Sequence, residues 1–568
     1  MLSCQDLTVQ AGADGPIILD HATARFLPKG LNAVIGPSGC GKTTLMKAIL
    51  GILPSTGQAS LAGVPITCSE DLVGKVGFAP QFTAAQAQLT VGESLDYALR
   101  LAVPSAAERR ERLEGVLDVT GLKPHRNKRV SSLSGGQLRR LSLGLELTLD
   151  PACMVCDEVT SGLDPQSEDQ ILALLRELAT TRDKSFVCII HNLGKLHQFD
   201  WVTVVYQGDV VFQGSPDAMQ RYFGIPDGLG LYAVLNASDL ATWRDRWAIH
   251  QAEHPGAFEA AAAAVGTSPE PEPLPEPVLP GGVSQFFTLL SRRLCLFFRD
   301  TGYLGLTLAI TFGFPLLVVI FNFNGVWNLQ DISLESNPAS VSEFQARIAD
   351  SLNNARVANM AAGLVMFQVI LLTLMGANNG GREISAERQL YEKERMTGLR
   401  PWSYALSKIT FVSLIAIFQG VWMCVFVKLI CNFPGGWGPQ LGILVASCVS
   451  MSVVCLAFSA LLASPEKSSL LSIYLVGFQL PLSGVVLALP DQLTWVCRPF
   501  INSYWGWSGF MKSMADDQSV RLWGAYVNSL ADKSAQIADN QVSIMVLTVH
   551  AMLAIALIMV GCQQKRWN

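Results

Sequence analysis

The sequence predicts an α/β domain followed by an all-α membrane domain of six helices. Three observations carry that reading. Up to about residue 240, short β-branched runs alternate with amphipathic helical patterns, and charges occur throughout. After Tyr303, apolar runs of roughly 20 residues recur, each long enough to cross about 30 Å of hydrocarbon. Of 568 residues, 50% are hydrophobic and only 15% charged, with a mean hydropathy of +0.33, where soluble chains carry about 25% charge. A wholly soluble enzyme, a disordered chain and a small disulfide scaffold are thereby excluded. A net charge of −5 and the lack of a long basic run give nucleic acid no footprint.

The first domain is placed at residues 1–236. LNAVIG (Leu31–Gly36) reads as a buried strand, and the KTTLMKAILGIL that follows has helical periodicity. ACMVCD (Ala152–Asp157) and SFVCIIH (Ser185–His191) are strand-like, with the amphipathic QILALLRELAT between them, which implies a largely parallel sheet. WVTVVYQGDVVFQG turns back at Gln207-Gly208-Asp209 as a hairpin. The 13 cysteines are scattered; Cys153 and Cys156 read as core thiols, with a metal pair as the alternative. The beginning of the chain lacks a basic-then-apolar leader, so this domain is expected in the cytosol.

Residues 237–282 are expected to be a linker, on the Pro- and Glu-rich TSPEPEPLPEPVLPGG (Thr267–Gly282). The membrane domain then covers 283–568. It opens with an interfacial helix at Ser284–Arg299, where aromatics interleave with Arg292, Arg293 and Arg299. Spans are expected near 303–323, 357–377, 409–431, 440–463, 469–489 and 542–562. Basic residues crowd the loop 378–408 and the tail (Lys565, Arg566), whereas NFPGGWG has none. The positive-inside rule places the linker, that loop, the SPEKS turn and the tail in the cytoplasm. Segments 324–356 and 490–541 then face outward. The aromatics of RPFINSYWGWSGFMKSM are read as an interfacial belt, with a re-entrant plug as the alternative. Inside the spans, His550, Gln368, Gln419 and Gln479 are read first as interhelical hydrogen bonders, and His550 also as a substrate or proton contact. Met366, Phe367 and Phe478 are candidates to line an apolar cavity.

The chemistry begins at GPSGCGKTT: Gly36, Pro37, Ser38, Gly39, Cys40, Gly41, Lys42, Thr43 and Thr44. It fits GxxxxGK[ST] between a strand and a helix, the phosphate-cradling P-loop context. The glycines let amides converge on phosphate oxygens, Lys42 supplies positive charge, and the Thr43 hydroxyl can ligate Mg²⁺. Asp157-Glu158 ends a later apolar strand. The first carboxylate suits a Mg²⁺ shell and the second an attacking water. LSGGQLRR opens a helical pattern at Ser134, Gly135, Gly136 and Gln137, a second anion-friendly helix start.

Taken together, these phrases resemble the ATP-binding cassette (ABC) ATPases, with LSGGQ as their signature motif. Gln81 in VGFAPQF resembles the Q-loop, Asp164 in SGLDP the D-loop, and His191 in CIIHN the switch histidine. The resemblance covers the whole first domain. It implies pairs of such domains, head to tail, with ATP on the Lys42 loop of one and Ser134, Gly135 and Gly136 of the other. It further implies Glu158 as general base, His191 at the γ-phosphate, and Gln81 linking Mg²⁺ to the membrane domain. Val159 stands where the family usually has proline, and no adenine-stacking aromatic is evident in LSCQDLTVQ.

The order of nucleotide domain then six spans resembles the G subfamily of half-transporters and their bacterial relatives with type-2 permeases. ERQLYEKERMTGLRPWSYALSK (Glu387–Lys408) is similar to that family's loop between its second and third spans and reads as a coupling surface near Gln81. The implied machine is an ATP- and Mg²⁺-dependent half-transporter, an exporter of an amphipathic or lipid-like molecule. All hydrolytic positions occur in one chain, so a homodimer is expected, with a heterodimer as the alternative. A bacterial plasma (inner) membrane is the expected location. An importer, or a membrane-anchored ATPase that regulates or extracts, are the competing readings.

Overall fold

The computed structural model describes residues 1–12, 15–81, 85–266, 276–322, 341–431, 433–485, 490–514 and 537–564. Two compact units divide it. One holds 1–288 with 389–400, the other 289–388 with 401–564.

The first unit is built on ten strands: β1 (Leu2–Gln10), β2 (Ile17–Arg25), β3 (Gly30–Ile35), β4 (Thr56–Leu61), β5 (Val64–Pro65), β6 (Val76–Ala79), β7 (Cys153–Asp157), β8 (Ser185–Ile189), β9 (Trp201–Tyr206) and β10 (Asp209–Gly214). β2-β1-β4-β5 form an antiparallel sheet. The larger sheet runs β10-β9-β3-β8-β7-β6, parallel from β9 to β6, with the expected β9–β10 hairpin at one edge. Its helices are α1 (Lys42–Ile49), α2 (Val91–Ala102), α3 (Ala106–Val119), α4 (Gly135–Leu147), α5 (Pro165–Thr181), α6 (Pro216–Phe223), α7 (Leu231–Leu235), α8 (Leu240–Glu253) and α9 (Ala257–Ala264).

Strand alternation splits the interior in two. Leu31, Ala33 and Ile35 of β3 point into a core shared with α2 to α5, while Val34 points toward α1, β1 and β2. A central strand covered on both faces is apolar between its ends, as β7 is from Cys153 to Cys156, β8 from Phe186 to Ile189 and β3 nearly so. Asn32 is the exception. Fully buried, it accepts from the Leu27 amide at 2.7 Å and donates to the Phe186 carbonyl at 3.2 Å. Cys153 and Cys156 are buried in β7 with no disulfide, as core thiols should be.

The expected linker is corrected in part. Residues 240–264 are not extended but form α8 and α9, which belong to the first unit. Trp243 of α8 is buried against the main core, and Phe258 of α9 meets Trp201 edge-on at 5.3 Å. Residues 267–275 of the Pro/Glu stretch lie outside the described residues.

The second unit is helical. Its elements are α10 (Gly282–Arg299), inside which the boundary between units falls, α11 (Thr301–Asn322), α12 (Val341–Gly380), α13 (Arg388–Met396, mostly in the first unit), α14 (Pro401–Cys431), α15 (Trp437–Leu461), α16 (Pro465–Leu482), α17 (Asp491–Cys497), α18 (Asn502–Met514) and a helix at Asn540–Gln563. Five of these are long and apolar enough to cross a membrane: Thr301–Phe321, Asn359–Met396, Pro401–Cys431, Trp437–Leu461 and Asn540–Gln563. The expected span at 469–489 is described as α16. It opens on Pro465-Glu466-Lys467, which dilutes its apolar length, and residues 486–489 lie outside the described residues, as do Lys565 and Arg566.

The aromatic belt expected within 490–541 is also corrected. α18 packs against α12, α15 and Asn540–Gln563, and its Tyr504, Trp507 and Phe510 are buried. Trp507 donates to the Ala362 carbonyl at 3.1 Å. These rings fill a core, while Phe500 of the same motif stays exposed; residues 515–536 lie outside the described residues.

Candidate nucleotide site

β3 delivers the chain to Gly36, where a Cβ would lie 2.1 Å from the Val205 carbonyl oxygen. Only glycine fits there. Gly39 has φ +79°, and a Cβ built on it meets nothing within 4 Å, so the loop is open at its crest. α1 starts at Lys42 with Gly41 as its N-cap and no side chain capping it. Its first-turn amides have no intrahelical acceptor and no N-cap side chain, the condition under which a helix start takes an anion. Lys42 curls back over the loop, its Nζ donating to the carbonyls of Gly36 at 2.8 Å and Pro37 at 2.9 Å. This open, amide-lined, lysine-covered loop fits a polyphosphate.

Two carboxylates at the end of β7 face it. Thr43 Oγ1 donates to Asp157 Oδ1 at 3.2 Å, so the hydroxyl and carboxylate that suit Mg²⁺ already sit together. Burial pushes the Asp157 carboxyl above its ordinary pKa. Glu158 adopts φ +54°, a left-handed conformation that is strained for any residue with a Cβ. It is clasped from both sides: Oε2 accepts from Gln81 Nε2 at 2.8 Å, and Oε1 lies 2.5 Å from His191 Nε2. Lys42, Thr43, Asp157, Glu158, Gln81 and His191 thus share one site.

The signature segment makes its hydrogen bonds elsewhere: among the described residues, those of Ser134 and Gln137 stay within α4 and with His125. Ser134 caps α4 and forms a capping box with Gln137 (3.4 and 3.2 Å). Asp164 caps α5, accepting from the Ser167 amide at 2.9 Å and hydroxyl at 2.6 Å, which holds its carboxyl below the usual range. These two helix starts are neighbours, for a Cβ on Gly136 would sit 3.2 Å from Ser167 Oγ. Gly135 stands beside Leu163 in the same way.

Some participants were not visible in the sequence reading. Arg139 donates to the Gln81 backbone carbonyl and so ties α4 to that glutamine. His125 Nε2 is 3.0 Å from Gln137 Nε2. In the same unit, Lys393 of α13 forms a 2.6 Å ion pair with Glu146 of α4, both nearly fully buried, and Arg395 pairs with Glu70 at 3.1 Å. The charged repeat of the 387–408 loop hints at a docking face; nothing in its spacing names Glu146 or Glu70. Glu146 has its carboxyl pushed up by burial.

In the helical unit, the polar residues singled out within apolar runs mostly hold helices together. Asn379 donates to Gln419 Oε1 at 2.7 Å, and Gln419 to Thr311 at 3.2 Å. Gln479 accepts from the Ser503 amide at 2.9 Å. His550 Nε2 donates to the Pro499 carbonyl at 2.6 Å. Gln368 is buried. Phe367 lines an apolar groove of about 340 Å³ with Phe321, Met360, Gly363 and Leu364. Met366 is buried in the core and Phe478 is exposed, so neither joins it.

Comparison with known proteins agrees with this geometry. Residues 19–161 match the ABC transporter family model and residues 284–513 the ABC-2 type transporter model. The chain thus carries a region similar to ABC transporter ATP-binding domains ahead of one similar to ABC-2 type transporters. It is 27% identical over 509 residues to the ABC transporter ATP-binding/permease protein Rv1747 of Mycobacterium tuberculosis, covering 84% of this chain and 54% of that protein. ABC transporter G family member 21 of Arabidopsis thaliana is 36% identical over 220 residues, 37% of this chain and 32% of that one. The chain therefore spans about half the length of the first relative and a third of the second. Among solved structures, cbiO1 of Clostridium perfringens, part of the ABC transporter complex cbiONQ, is 24% identical over 39% of this chain and 90% of that one, with a TM-score of 0.37.

Proposed function

We propose that the chain is one half of an ATP-driven exporter that works as a homodimer and moves an amphipathic or lipid-like molecule. The observation that carries this is the Glu158 carboxylate clasped between Gln81 and His191 beside the Lys42 loop, on the same chain as five apolar helices.

In this reading Lys42 and the first-turn amides of α1 bind the β- and γ-phosphates. Thr43, Asp157 and Gln81 would hold Mg²⁺, which when bound neutralises charge on the phosphate oxygens. Glu158 takes the proton from the attacking water, and His191 steadies the γ-phosphate and that carboxylate. Ser134, Gly135, Gly136, Gln137 and Asp164 sit on helix starts directed to a partner's nucleotide rather than their own. That division of labour is what a two-chain site needs. Closing and opening of the pair would drive the helices between inward and outward states. The basic 378–408 loop supports a cytoplasmic nucleotide domain in a bacterial plasma membrane. The apolar groove at Phe321 and Phe367 supports an apolar cargo.

The test is ATP hydrolysis and ATP-driven flux by the protein in lipid vesicles, screened over amphipathic compounds and lipids. Substrate-stimulated hydrolysis with accumulation inside inside-out vesicles is expected. Glu158→Gln should retain ATP binding and lose about 10²-fold or more of turnover. Near-normal turnover in that variant removes Glu158 from the mechanism. Hydrolysis without flux points instead to a membrane-anchored ATPase that moves no solute.

A further inference from the structure

The C-terminal turn of α8 carries two histidines and a glutamate that have no part in the nucleotide chemistry. In HQAEH, His250, Glu253 and His254 stand at i, i+3 and i+4, so all three side chains leave one face of the helix. One ligand atom from each lies within 4.8 Å of the others. We propose that His250, Glu253 and His254 form a binding site for a first-row divalent transition metal, with zinc the fitting ion.

The geometry supports this at several points. His254 Nδ1 donates to the His250 backbone carbonyl at 3.2 Å. That bond leaves Nε2 with its lone pair free, the second-sphere arrangement typical of metal-binding histidine. The His250 ring is held by neighbours: it meets Tyr222 at 4.9 Å, stacks with Trp247 at 5.8 Å and with His254 at 4.4 Å. Imidazole lone pairs lie in the ring plane, so the exposed His254 side chain turns out of the stack to converge on an ion with His250, whose ring stays held by Tyr222 and Trp247. Arg246, one turn earlier, is committed elsewhere, its guanidinium 4.7 Å over the Tyr222 ring and donating to the Tyr222 carbonyl. The group also occupies the last turn of its helix, where the peptide dipoles favour a cation.

The donor set selects the metal. Two imidazoles and one carboxylate suit zinc and its transition-metal neighbours, whereas Mg²⁺ and Ca²⁺ demand mostly oxygen. Three protein ligands leave a further position facing a cleft of about 770 Å³, which Arg221 and Arg246 also line. Water or a small anion can complete the shell there. Occupancy would pin the end of α8 to the turn that leads into α9.

The experiment uses the full chain in lipid nanodiscs, affinity tag removed, titrated with Zn²⁺ and separately with Co²⁺. The wild type should bind one more equivalent per chain than H250A/H254A, and Co²⁺ should give the visible bands of a low-symmetry site that the double variant lacks. His254 is exposed, so H254Q keeps the fold; it should weaken zinc binding by about a hundredfold while metal-free ATP hydrolysis stays unchanged. Equal stoichiometry in wild type and H250A/H254A, or equal affinity in H254Q, overturns the proposal.

Discussion

Asp157 and Glu158 are chain neighbours, the first buried and the second partly so. Asp157 is buried, and its carboxyl is pushed above its ordinary pKa by that burial. A carboxyl whose folded pKa exceeds its unfolded one destabilises the fold while it is charged, and the penalty fades as pH falls through the folded value. Asp157→Asn should therefore melt higher than wild type at pH 7 without nucleotide, the gain shrinking toward acid pH. Scanning fluorimetry checks this; a lower melting point at pH 7 means the Thr43 hydrogen bond outweighs burial. At this scale much was legible. The Lys42 loop, Asp157-Glu158 and the LSGGQ helix start each carry their chemistry in residue type and spacing, and resemblance placed Gln81 and His191 beside them. Arg139 on Gln81 and His125 on Gln137 were not legible, because such contacts join elements whose separation no local pattern encodes.

Between elements, the Lys393–Glu146 pair joins α13 to the helix that begins with the signature segment. Removing one member of a buried pair leaves the other uncompensated, at a cost of about 3–5 kcal/mol. Lys393→Ala should thus lower stability sharply and weaken coupling, whereas Lys393→Met with Glu146→Leu should recover most of the stability. Thermal melts and substrate-stimulated hydrolysis measure both arms, and equal melts for Lys393→Ala and the double variant refute the expectation. In the helical unit, α12 and α15 touch through glycine. A Cβ on Gly380 would stand 2.2 Å from the Ser452 carbonyl oxygen, backbone that has nowhere to go. Gly380→Ala should cost folded, monodisperse yield in size-exclusion chromatography; Gly305→Ala, with nothing within 4 Å, should not. Elements were read well where one period ran unbroken, as in β3, β7 and the long spans. α8 and α9 escaped notice because each anchors by a single buried aromatic, Trp243 or Phe258, too few for a periodic stripe. α18 escaped because it is buried nearly all round, Asn502 and its serines together with its aromatics, so no apolar stripe marks one face.

For the whole molecule, the separation of the signature residues from the Lys42 loop makes a prediction about mixing. Lys42→Ala and Ser134→Glu should each be inactive as homodimers. Co-expressed and purified as a mixed pair, they assemble one intact site, from the Lys42 of one chain and the Ser134 of the other, and should regain a substantial part of wild-type hydrolysis. No recovery in a verified mixed pair would place both residues on the same nucleotide. The clasp on Glu158 has a last consequence. Each oxygen of the proposed base already accepts one hydrogen bond, from Gln81 on one side and His191 on the other, and each keeps a lone pair for the attacking water. In the proposed reading, water would meet a carboxylate whose orientation two neighbouring loops have already set, so a shift at Gln81 would be felt at the base.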